Sequence, residues 1–482
     1  MASGQARYGE KLMEEPPSKE NYWDSENSVS MPLTLVHGPK DWHQRGRHLM
    51  NASSPTIARY KLDDNNSSFA LSFYYVAEIK LGSPPRRFRV SLNTGSDLLW
   101  VQCAPCLQCS DTTQTLPFDY GGSSTSKLLT CGDETCQDLT KRNSAMCTAN
   151  CTAKQVWKSM MESADALRRC ELFNESSFCT YAAFFGDGTI VTGKIVTDVF
   201  YLQRVTGDIK RVNIPFGCGQ IVSPPFTAYG LDGTLGLMRT NHSLPSLLAA
   251  QGLPNVFAHC FATKRDEGHG GRFILGRPAV PDSFIQYTPL YGDPNFERRY
   301  RVRLLNISIG DVTFPVPELY DDVGTPTVEF DSGNTITIFP RNILRGLVLK
   351  ITSRVPSLAF DNATSSRLRL TCFKLPPIII TAETVKALKL AFPNVTLHFE
   401  NATMVVSPRD YLVEIGSSDT GGQPALCVGM RELPFADQFP DLWNLVSIGA
   451  NFMRNYLVVY DHDNRRIGVS RMQCRSDGRG GR

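Results

Sequence analysis

The chain has 482 residues, 41% of them hydrophobic, enough to bury two cores rather than one. Lys and Arg exceed Asp and Glu by only three, and no basic run interleaves with aromatics, so the electrostatic footprint of a nucleic-acid binder is missing. No run of 18 apolar residues occurs, so no membrane-spanning helix is predicted.

In chain order, residues 1–69 come first: polar, rich in Pro, Ser and Asn, with "EEPPSKENYWDSENS" showing no periodicity. This composition predicts a disordered leader or prosegment. It lacks the apolar h-region of a signal peptide, and we expect a truncated or mis-assigned start. From Leu71 onward, "SFYYVAEIKLG", "RRFRVSL" and "LLWVQC" are short β-rich runs broken by Gly, Pro and Asn.

The 14 cysteines crowd towards the first half, nine of them between Cys103 and Cys179. Zinc would use such closely spaced pairs, but no histidine lies between His48 and His242. Disulfides formed in a secretory compartment are the expectation, supported by ten Asn-x-Ser/Thr triplets from Asn51 to Asn401. Within this region "KQVWKSMMESADALRR" (154–169) carries Val156, Met160, Ala164 and Leu167 at helical spacing and predicts a short amphipathic helix.

Further on, "SLPSLLAAQGL" (243–253) predicts a short helix, and "GHGG" (268–271) before "RFILG" a hairpin turn rather than a phosphate loop. His259 adjoins Cys260, but adjacency is not the geometry of a catalytic couple, and Tyr181 reads as a core aromatic. The second half resumes the strand pattern in "VEFDSG", "YLVEIG" and "NYLVVYDHDNRRIGVSRMQC". The tail after Cys474 is polar and carries no anchor signal.

An internal echo organises these elements. "VSLNTGSDLLW" (90–100) is answered by "VEFDSGNTITIF" (328–339), placing Asn93 opposite Asp331, and each copy has a later apolar-Gly partner, "GTLGL" (233–237) and "SIGANF" (447–452). Two homologous lobes, each giving one loop to a shared cleft, would produce this pattern.

These residues, with "CTYAAFFGDGT", "FGCG", "FAHCF", "GGRFILG", "YTPL" and "LTCF" in the same order, give a series that resembles the pepsin-like aspartic proteases of the plant nepenthesin-like and nucellin-like branch. The resemblance runs from about Phe73 to Cys474. It implies an all-β, bilobal pepsin-like fold: an N-terminal lobe over 70–270 with a cysteine-rich insertion (103–179) and a flap (181–193), then a C-terminal lobe over 271–475 and a polar tail (476–482). It also implies a monomer, a polypeptide in the cleft, no cofactor or metal, and a Cys372–Cys427 bridge. Full oxidation requires at least one bridge across Cys179, and Cys218 with Cys474 is our expected pair.

The chemistry of such a cleft needs two carboxyl groups sharing one proton, one activating water while the other polarises the scissile carbonyl. The resemblance assigns these places to Asp331 and position 93, supported by Thr94, Gly95, Ser96, Ser332, Gly333 and Asn334, with Phe185, Gly186 and Trp100 at the flap. Position 93 is Asn, however: isosteric with Asp, neutral, and unable to share the proton. Asp97, four residues on, is not expected to replace it. Phe185 stands where the family's flap has a Tyr hydroxyl for the Trp100 indole, and Asn334 where a Ser or Thr hydroxyl bonds the second carboxylate. The expectation is a secreted or vacuolar protein whose endopeptidase activity is lost or strongly impaired. The alternatives are a binding module, such as a peptide trap or an inhibitor of a secreted glycosidase, and a weak endopeptidase using Asp331 alone.

Overall fold

Alternation decides the first sheet. In the strand Arg86–Asn93, Phe88, Val90 and Leu92 are each at most 2% exposed, a burial that stabilises by about 1.5–3 kcal/mol per side chain. The strand Phe73–Leu81 pairs antiparallel with it, Val76 opposite Ser91 and Leu81 opposite Arg86. Gly82, at φ +83°, opens the turn between them against the Phe118 ring, where no Cβ would fit. The computed structural model describes residues 28–37, 73–109, 115–141, 146–147, 178–203, 208–223, 226–263, 270–293, 297–316, 328–375, 388–415, 424–433 and 444–474.

The protein is all-β and bilobal. A 16-stranded sheet contains the N-terminal strands and also both strands of the last hairpin, Tyr456–Asp461 and Arg466–Arg471. Smaller sheets of five, four and three strands complete the C-terminal half. The proposed lobe boundary at 270/271 therefore falls inside a hairpin of the shared sheet, where Val256–Phe261 pairs with Gly271–Gly276.

The internal echo is a structural repeat. Gly233–Gly236 runs parallel to Arg86–Asn93, with Gly236 opposite Asn93, and antiparallel to the strand from Trp100. In the second copy Val446–Ile448 runs parallel to Val328–Phe330, with Ile448 opposite Phe330, and antiparallel to Thr337–Ile338. Leu237 N donates to Asn93 O (2.9 Å), and Asp331 N to Ile448 O (3.0 Å). Each loop is thereby fixed by a later strand of its own lobe.

Two expectations need correction. Within the leader read as disordered, Ser28–His37 is a strand, paired antiparallel with both Phe73–Leu81 and Gly271–Gly276; its Val29 and Leu33 are buried in the core, apolar surface that the polar average of the segment hid. Cys218 is bridged to Cys103, not Cys474, because its strand runs parallel beside Trp100–Ala104. Cys474 is bridged to Cys260, whose strand pairs with the returning Tyr456–Asp461.

Cys372 and Cys427 are direct cross-strand partners and are bridged. Cys106–Cys109, Cys131–Cys147 and Cys136–Cys179 bring the disulfides among the described residues to six. The sulfurs of Cys131, Cys136 and Cys147 lie near one another, but all are taken up in bridges. A helix forms over Leu244–Ala249, and His259, fully buried, bonds the Tyr460 hydroxyl at 3.0 Å. The predicted helix at 154–169 and the tail lie outside the described residues. No helix among the described residues is long and apolar enough to cross a membrane.

Candidate active site

The loops after Asn93 and Phe330 face each other and are clamped by buried hydrogen bonds. Thr94 Oγ1 donates to Phe330 O (3.0 Å) and accepts from Ser332 N (2.9 Å), while Ser332 Oγ donates to Leu92 O (3.1 Å) and accepts from Thr94 N (3.1 Å). Thr94→Val removes the hydroxyl and leaves two buried backbone groups unpaired, an expected cost of about 2–4 kcal/mol. Denaturant unfolding would read it, with Thr94→Ser close to the unaltered chain; a cost near zero would mean that the lobes are not clamped here.

Gly95 and Gly333 both give space to the loop opposite. Neither has a positive φ. A Cβ on Gly95 would sit 2.5 Å from the Asp331 carboxyl carbon, and one on Gly333 would sit 2.5 Å from the Asn93 amide carbon. Each glycine makes room for the side chain of the opposite loop, so Asn93 and Asp331 cross over on the cleft floor.

The two side chains have different surroundings. Asp331 Oδ1 accepts from Gly333 N (2.9 Å) and Oδ2 from Asn334 Nδ2 (2.9 Å), which also reaches Ser447 Oγ (2.7 Å). Asn334 thus supplies by amide the hydrogen bond expected of a hydroxyl. Asn93 Oδ1 accepts from Gly95 N (2.7 Å), but Ser96 Oγ, the counterpart of Asn334, is buried without a hydrogen-bond partner. An amide on the first loop leaves that donor unused.

Burial, and then the negative charge of Glu329, push the Asp331 carboxyl up to about 7, against the smaller opposing effects of Gly333 N–H and the Arg299 guanidinium. Arg299 forms an ion pair with Glu329 at 3.2 Å. Nothing in the motifs pointed to this pair, although a glutamate between Val328 and Phe330 was a visible anomaly in an apolar strand. Asp97 is held by Arg298 at 3.0 Å.

The flap is the hairpin of Cys179–Phe184 and Ile190–Gln203, closed by Phe185 N to Thr189 O and Gly188 N to Phe185 O, both 2.9 Å. The Phe185 and Trp100 rings lie 6.3 Å apart, and the Trp100 indole N–H is buried without a hydrogen-bond partner. Tyr181 is buried in the strand leading to the flap. Floor and flap enclose a cleft of about 480 Å³, lined by both loops, Trp100, Phe185, Gly186 and Arg431 among others.

Two lobes that each present one loop to a shared, flap-covered cleft define the aspartic-protease fold. Residues 75–277 match the family described as xylanase inhibitor N-terminal, and residues 299–471 its C-terminal counterpart. The chain is 31% identical to aspartic proteinase 36 of Arabidopsis thaliana over 83% of its own length and 74% of that protein's. It is 26% identical to aspartic proteinase nepenthesin-1 of Nepenthes gracilis over 83% of its length and 78% of that relative's. Among solved structures, the soybean basic 7S globulin superposes with a TM-score of 0.60 at 17% identity, covering 94% of this chain and 99% of that one. Lupine conglutin gamma superposes at 0.57 and 15% identity, covering 92% and 95%. The chain belongs to the pepsin-like aspartic protease family.

Proposed function

We propose that this protein keeps the family's peptide cleft but has lost, or retains only weakly, the family's endopeptidase activity. One observation carries the reading: the side chain facing Gly333 across the cleft floor is the Asn93 amide. Below about pH 7 the Asp331 carboxyl opposite holds its proton, so in acid neither side of the floor offers a base to water. The cleft is then a polypeptide-binding site. The similarity to the xylanase-inhibitor family supports an inhibitor of a secreted enzyme as the second reading. A secretory or vacuolar destination is supported by the disulfides, which persist in oxidising compartments.

The direct test is the full chain incubated with a denatured protein substrate between pH 3 and 6, alongside Asp331→Ala. Indistinguishable traces from the two are expected. Clear cleavage that Asp331→Ala abolishes would sink the reading.

A further inference from the structure

The charges lining the cleft do not all cancel. Arg298 is paired with Asp97 at 3.0 Å, Arg299 with Glu329 at 3.2 Å, and Glu297 with Arg301 at 2.9 Å. Asp187, on the flap, spends one oxygen on Thr189 N at 2.8 Å. Arg431 is different. It ends the short strand Met430–Arg431, which runs parallel to Thr337–Ile338 just beyond the second catalytic loop, and its backbone carbonyl accepts from Phe339 N at 2.9 Å. Its side chain lines the cleft, yet among the described residues no carboxylate lies within ion-pair distance of it, and its Nε is buried without a hydrogen-bond partner.

A guanidinium stays charged at any physiological pH and presents donors in a planar fork that matches a carboxylate. Leaving such a donor buried and unmatched costs free energy, which a bound acid would recover. Burial is the largest influence on the Arg431 charge and opposes it, with Tyr74 and then the Asp187 carboxylate acting in its favour to a smaller extent.

We infer that Arg431 is the anchor for an acidic side chain, Asp or Glu, of a polypeptide lying in the cleft. The inference rests on the reading of the cleft as a peptide-binding site and deepens it. The bound segment runs between the flap and the two loops, and its acidic side chain makes a two-pronged hydrogen-bonded ion pair with Arg431. A neutral amide at the same place cannot replace that pairing, because its NH2 group turns a donor towards a donor.

The test uses the full chain and fluorescence polarisation with labelled decapeptides of an Ala/Leu/Gly background, scanned with Glu or Asp at each position and matched to Gln or Asn. At the best position the acidic peptide should bind about tenfold more tightly than its amide twin, a difference typical of a charge-assisted pair. Arg431→Gln should erase that ratio by weakening the acidic peptide. Asp187→Asn removes the competing carboxylate of the flap, keeps an acceptor for Thr189 N, and should tighten the acidic peptide alone; it serves as the independent check should Arg431→Gln fold poorly. Equal binding of twins at every position, unchanged by either substitution, would overturn the role of Arg431 and leave the peptide cleft standing. If no peptide of either set binds, the reading of the cleft falls and takes this inference with it.

Discussion

Asn93→Asp is expected to raise the cleavage rate of a denatured protein at acidic pH by about 10²–10⁴, the usual worth of a positioned general base. The structure already holds what an aspartate would need. Asp and Asn have the same shape, Gly95 N donates to Oδ1 at 2.7 Å, and Gly333 leaves the crossing side chain its space. Ser96 Oγ, now without a partner, would gain an acceptor. With two carboxyls crossing on the floor, like charges cannot both ionise, and one proton is shared between an acid and a base. The activity of the variant should therefore rise and fall with pH as a coupled pair, and Asp331→Ala in the same background should abolish it. Adding Phe185→Tyr should raise the rate again by offering a hydroxyl near the Trp100 indole, 6.3 Å from ring to ring at present. A silent Asn93→Asp variant, with or without Phe185→Tyr, would show that the defect lies beyond the missing acid and would favour a purely binding role.

The second large effect concerns stability. Asp331 has a folded-state pKa of about 7 against 3.8 for a free aspartate carboxyl, so between those values the folded chain keeps a proton that the unfolded chain has released. Stability from this group is highest below pH 4, falls as pH rises, and levels off above about pH 7, a change of up to about 4 kcal/mol. Asp331→Asn removes the titration. The difference in unfolding free energy between the variant and the unaltered chain should therefore move in favour of the variant from pH 4 to 7 and then flatten. Glu329→Gln should reduce that movement, because it deletes a negative neighbour and frees the Arg299 guanidinium, now 3.2 Å from Glu329. Parallel pH curves for the unaltered chain and Asp331→Asn would mean that the carboxyl is ionised in the fold across this range.

Much of this was readable along the chain. The β texture, the two echoing loops and the placing of Asn93 opposite Asp331 all follow from local patterns: period-two apolar alternation, turn residues, and a motif repeated at the same offsets from its strands. The Cys372–Cys427 pair followed from family likeness, and the strand register makes the two residues direct partners. Where local signals were averaged, the reading failed. Ser28–His37 sits in a polar segment, and only its two sheet neighbours turn it into a strand.

The remainder depended on long-range contacts. Cys103 meets Cys218, and Cys260 meets Cys474, 115 and 214 residues apart in sequence, because long-range strand pairing folds the chain back on itself, and spacing along the chain carries no record of that pairing. The Arg299–Glu329 pair and the unmatched Arg431 in the cleft are likewise products of packing, since a charge in a sequence does not reveal which charge it will face. The identity of residue 93 is covalent and was legible from the start. How far the Asp331 carboxyl is driven towards its neutral form depends on desolvation and on neighbouring charges, and those exist only once the two lobes have closed around it.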